Sequence, residues 1–79
     1  MRVPARTMTF FDLEVIKLIT EKYGLEEKEA ITAFIKSKTY DMLSDSTYEV
    51  YAMSPRIVFD MWESEKVTGD PRNSQYIRE

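Results

Sequence analysis

Apolar side chains at Phe11, Val15, Ile16, Leu18, Ile19 and Tyr23 recur at helical spacing and share one side of a helix. Asp12 intrudes on that arc, and Phe10 and Leu13 lie outside it. Thr9 and Asp12 have capping-box spacing, with Asp in place of the more usual Glu or Gln, and Gly24 stands where a left-handed stop is expected. The pattern predicts a first helix over residues 9–23. Glu26, Glu27 and Glu29 then place negative charge where the dipole of a second helix favours it, and Lys36 and Lys38 sit near its end. Ala30, Ile31, Ala33, Phe34 and Ile35 form its apolar side, which predicts a helix over 26–37. So short a connection between the two implies a helical hairpin, with Leu25 stapled across the turn.

Thr39 to Leu43 reads as a short helix with Tyr40 and Leu43 facing inward, followed by the turn cluster Ser44-Asp45-Ser46-Thr47. Tyr48, Val50 and Tyr51 are β-formers, but no second segment offers a strand to pair with. They are therefore expected as an extended segment packed on the helices. Ser54-Pro55 is an N-cap followed by proline at the first helical position. Ile57, Val58, Met61 and Trp62 form one stripe with Phe59 at its edge, Glu63 and Glu65 face out, and Thr68-Gly69-Asp70-Pro71 ends the helix, predicted over 55–67. Residues 1–8, with Pro4 and no periodicity, are expected to be a flexible arm. Residues 68–79 are expected to be a disordered tail.

The fold class is thus all-α: one helical domain over 9–67, a small bundle of three main helices and one short helix. The expected core is Phe11, Val15, Leu18, Ile19, Ala30, Ile31, Phe34, Leu43, Ile57, Val58, Met61 and Trp62. The chain has 79 residues, 43% hydrophobic and 13% aromatic. A chain of this length hides only about 60% of its unfolded surface. It has neither Cys nor His, so disulfides and ordinary zinc sites cannot supplement the core. Helix packing, a partner chain or a second copy remains. No apolar run approaches the roughly 18 residues of a membrane span, no signal peptide follows Arg2 and Arg6, and a cytoplasmic location is expected.

The net charge of −3 is unevenly spread. Arg2 and Arg6 make the first eight residues basic. Residues 39–65 carry Arg56 against Asp41, Asp45, Glu49, Asp60, Glu63 and Glu65. An acidic second half repels phosphate backbones and favours a basic protein surface. Nucleophilic catalysis needs a nucleophile beside a base, and without His or Cys only pairs such as Ser37 and Lys38 remain. Those two are helix neighbours that point apart, so they read as solvated residues at a helix end. Asp41 and Asp45 are four apart, but two carboxylates are too few for a cation site. Gly24 and Gly69 are too far apart for a phosphate loop. No catalytic, cofactor or metal site is expected. The candidate partner-binding residues are Tyr48, Tyr51 and Met53 in the irregular segment, where binding residues gather, and Tyr76 and Ile77 in the tail, flanked by Arg72 and Arg78.

The stretch Ser37-Lys38-Thr39-Tyr40, Leu43 and Asp45, followed by Tyr51, Ser54-Pro55 and Met61, resembles a class of small bacterial helical domains of unknown function. These pair an N-terminal helical hairpin with a TYxxL…Y…SP segment and a last helix. Some are encoded beside toxin-like genes, ADP-ribosyltransferase-like ones included. The resemblance covers residues 9–65 and implies an antitoxin-like or accessory binding role; it carries no functional residues with it. The expected function is a non-catalytic protein-interaction module whose partner is another, basic protein. The alternatives are a small DNA-binding regulator, which the charge disfavours, and a self-associating homo-oligomer.

Overall fold

The computed structural model of the protein describes residues 2–71, and among these four α-helices form the bundle: α1 (Ala5–Tyr23), α2 (Glu27–Ile35), α3 (Lys38–Ser44) and α4 (Pro55–Thr68). Two 3-10 turns, Ser46–Tyr48 and Val50–Ala52, join α3 to α4. The all-α architecture expected from the sequence is the one found. α1 packs on both α2 and α4, α3 packs on α4 and α2, and the 3-10 turns lie against α3. No helix among the described residues is long and apolar enough to cross a membrane.

α1 opens four residues earlier than the Thr9–Asp12 spacing predicts. Pro4 stands at the N-cap and its carbonyl accepts from the Met8 amide, while the Thr9 hydroxyl bonds back to the Ala5 carbonyl and caps nothing. Proline has no N–H to leave unsatisfied at a helix start, which makes it a natural opener. The residues before Thr9, expected as an arm, carry core side chains: Val3 and Met8 are buried. The Val3 amide donates to the Ser44 carbonyl at 3.0 Å, and Arg2 and Asp45 form an antiparallel bridge. The start of the chain is therefore tied to the end of α3.

The other helix ends follow local chemistry. Gly24 (φ 67°) and Gly69 (φ 84°) close α1 and α4 in the left-handed region. α2 has a reciprocal capping box between Glu26 and Glu29 and stops at Ile35, two residues short of the predicted end. The stop comes from Ser37. Its hydroxyl donates to the Phe34 carbonyl and accepts from the Tyr40 amide, so one buried side chain ends α2 and caps α3. Ser54 caps α4 with Pro55 behind it, as the sequence signals.

The core holds nine of the twelve residues expected there; Leu18, Ile31 and Ile57 are half-buried instead. Val3, Met8, Val50 and Thr39 join it. Glu63 does not face out freely. It accepts from Lys22 Nζ at 2.6 Å and from the Tyr23 hydroxyl, locking the end of α1 to α4 beside the edge-on Tyr23–Trp62 ring pair. Burial pushes the Glu63 carboxyl up, but the hydrogen bonds from Lys22 and Tyr23 outweigh it and hold the group below its ordinary value. Removing the Val3 side chain tests the docking of the N-terminus. Val3→Ala is expected to lower stability by about 1–3 kcal/mol, read as a lower urea midpoint. An unchanged midpoint would mean that residues before α1 contribute nothing to the core.

Candidate binding surfaces

The expected extended segment is absent. Ser46–Tyr48 and Val50–Ala52 are 3-10 turns joined by Glu49, whose φ of 57° lies in the left-handed region. Asp45 opens the first turn: its Oδ1 accepts from the Thr47 amide at 2.9 Å, and that bond holds the carboxyl below the usual range. The reversal at Glu49 leaves Tyr48 and Tyr51 exposed and turns Val50 into the core. Met53, half-buried, closes the second turn through its amide bond to the Val50 carbonyl.

Tyr48 stands at the edge of a cleft of about 320 Å³ lined also by Lys38, Asp41, Met42, Asp45 and Asp70, with Pro71 at its end. Asp41 and Asp45, four apart in the chain, thus do share a surface. No cluster of three or more metal-ligating side chains occurs among the described residues. Tyr51 and Met53 lie outside this cleft, and Tyr76 and Ile77 lie outside the described residues. Of the five candidate residues, then, Tyr48 belongs to a shaped concavity and Tyr51 is an exposed ring outside it.

The wall of the cleft is α3, and α3 is held by Glu65. That carboxylate, expected to face solvent, reaches across from α4 and accepts from the Lys38 amide, the Thr39 amide and the Thr39 hydroxyl, each at 2.9 Å. It satisfies two of the orphan donors of the α3 first turn and adds favourable charge at a helix N-terminus. Lys38 Nζ donates in turn to the Gly69 carbonyl at 3.1 Å. Ser37 is therefore a buried member of this junction, not a solvated residue, while Lys38 stays exposed and takes part through its amide and Nζ. Residue spacing could not reveal the Glu65 contact, because its partners lie 26 and 27 positions away.

A second concavity of about 250 Å³ runs between α1 and α2, lined by Asp12, Leu13, Ile16, Glu27, Ile31 and Ile35. Asp12 Oδ1 is shut off from solvent there without a hydrogen-bond partner, and burial pushes its carboxyl above the ordinary value. This is the residue that breaks the apolar arc in the sequence. Leu13 and Ile35 on the rim are 66% and 46% exposed, so apolar surface continues outward from the groove.

Two substitutions test these assignments. Glu65→Ala is expected to cost about 1–3 kcal/mol and to speed hydrogen exchange at the Lys38 and Thr39 amides; unchanged exchange at those amides would contradict the clamp. A carboxyl whose folded pKa is raised keeps its proton longer in the folded state, so it weakens stability as pH rises through its range. Asp12→Asn is therefore expected to melt at a higher temperature than the parent at pH 7, with the two converging below about pH 4. A lower melting temperature at neutral pH would contradict the orphaned carboxylate.

Comparison with family models, with curated proteins and with solved structures finds no match to the chain, so its role has to be read from these surfaces.

Proposed function

We propose that the chain is a non-catalytic protein-interaction module, an antitoxin-like or accessory partner of another protein, which takes a basic side chain of that partner into the cleft beside Tyr48. The observation that carries this reading is the pairing of an exposed tyrosine with Asp41, Asp45 and Asp70 around one concavity on a helix fixed at its start by Glu65 and Ser37. An aromatic face and carboxylates together suit a lysine or arginine, the ring by cation–π attraction and the acids by Coulomb attraction. Tyr51 extends the apolar contact beyond the cleft.

The wider charge pattern supports the same reading. The acidic second half of the chain would steer a basic surface toward this face and speed encounter at low salt. The chemistry of the surfaces favours binding over turnover: the cleft offers carboxylates, a lysine and a phenol, with neither thiol nor imidazole beside them.

Pull-down of the tagged full chain from lysate of its source cells, at low and moderate salt, tests the assignment. A stoichiometric basic protein is expected, released as salt rises. Tyr48→Ala and the double substitution Asp41→Asn/Asp45→Asn are each expected to weaken its binding by about 10-fold or more, without loss of helical signal in circular dichroism. A captured protein held equally well by these variants would place the interaction elsewhere.

A further inference from the structure

α1 presents four exposed side chains on its solvent side at the spacing of a helix-pairing seam: Arg6, Phe10, Leu13 and Lys17. Phe10 is 54% exposed. Two large apolar groups bracketed by two bases make a strip that the packing of a single copy leaves unused. The groove beside it between α1 and α2 has the opposite sign. Its four aliphatic residues lie with two acids, Asp12 and Glu27, and with no base. Asp12 Oδ1 lies there dry and without a donor, which is the costly way to keep a carboxylate oxygen. What covers this groove has to supply apolar surface and cationic donors, and the strip on α1 supplies both.

We propose that strip and groove are the two halves of one self-complementary face, which joins two copies of this chain about a two-fold axis near Leu13. In an antiparallel pair of α1 helices centred on Leu13, Lys17 of the second copy comes level with Thr9 of the first. That is three residues, about 4.5 Å, from Asp12, and a lysine side chain spans it. Arg6 of the copy comes level with Thr20, in the last turns of α1. α2 runs back along α1 from the short turn at Gly24, so Glu27 in its first turn lies beside those same turns. Phe10 of the copy comes level with Ile16, and the two Leu13 side chains meet on the axis. Both acids of the groove then face bases, and Phe10 and Leu13 are covered. Because the interface is isologous, every contact off the axis occurs twice. Glu14 and Glu21 line a concavity on the flank of α1 toward Ser54, Pro55 and Arg56, which Phe10 and Lys17 of the strip also line. The face shares no residue with the cleft beside Tyr48, so a dimer leaves that cleft open.

Sedimentation velocity of the full chain, from about 1 µM to about 1 mM, reads the association directly. The parent is expected to pass from monomer to dimer within that range and to shift toward monomer as salt rises. Leu13→Glu, at an exposed position, is expected to remain monomeric throughout with its helical signal intact. Lys17→Glu is expected to weaken the dimer at least 10-fold, whereas Lys66→Glu, the same charge change on α4, leaves it unchanged. Asp12→Asn separates an interface role from a structural one, since it is expected to stabilise the monomer yet weaken the dimer. A parent that stays monomeric across the range overturns the proposal. So does a dimer that tolerates Leu13→Glu, or that responds equally to Lys17→Glu and Lys66→Glu.

Discussion

The carboxylate of Glu65 on the first turn of α3 is the contact on which the placement of α3 and the 3-10 turns rests. Seven residues are far too few for a helix to persist by itself, because nucleation is unfavourable and the chain ends before propagation can recover it. α3 exists because its open amides are met from two directions, by Ser37 within the chain and by Glu65 from α4. Everything downstream inherits that placement. Leu43 reaches the core from α3, the Ser44 carbonyl receives the Val3 amide, and Asp45 starts the turns that display Tyr48. A single acid thus couples α4 to α3, and through it to both the residues before α1 and the irregular segment.

What the sequence reveals and what it hides divide along the range of the interactions. Ser54-Pro55 and Gly24 act on their own backbone within a few residues, and the ends they mark are found where the residues place them. The apolar periodicity of α1 and α4 likewise reports burial directly, as Val15, Ile19, Val58 and Met61 show. The spacing of Glu63 and Glu65 puts them off the apolar stripe and so toward solvent. Nothing local announces that Lys22, Tyr23 and Thr39 wait across the interface. Val3 is one apolar residue ahead of a proline, with no period to join, so its pattern gives no sign of burial. Pro4 falls by its surroundings into an arm, yet it opens the helix. For the candidate site, exposure of Tyr48 and Tyr51 follows from an aromatic surplus in a small interior. The cleft that gathers Asp41, Asp45 and Tyr48 is a tertiary product.

Asp12 shows that a misfit in a sequence pattern can itself carry information. An acid inside an apolar arc conflicts with the rest of its helix, and in the fold that conflict remains, as an oxygen without a donor in an aliphatic groove. Sequences that fold well tend to agree across levels, and departures collect where something other than stability is served. The cleft beside Tyr48 and the groove between α1 and α2 differ in this respect. The cleft holds its own lysine among the acids, whereas the groove has acids alone.

The left-handed backbone at Glu49 has a consequence for the chain as a material. Tyr48, Val50 and Tyr51 are good strand formers, and in a strand Tyr48 and Val50 would share a face. Reversing the hand of one residue between them sends the first outward and the second inward, a division of side chains that no extended segment can make. Held in this bent form, the segment offers no straight row of free amides and carbonyls for another chain to align with. A run of strand formers is thereby kept from cross-β stacking for as long as the domain stays folded.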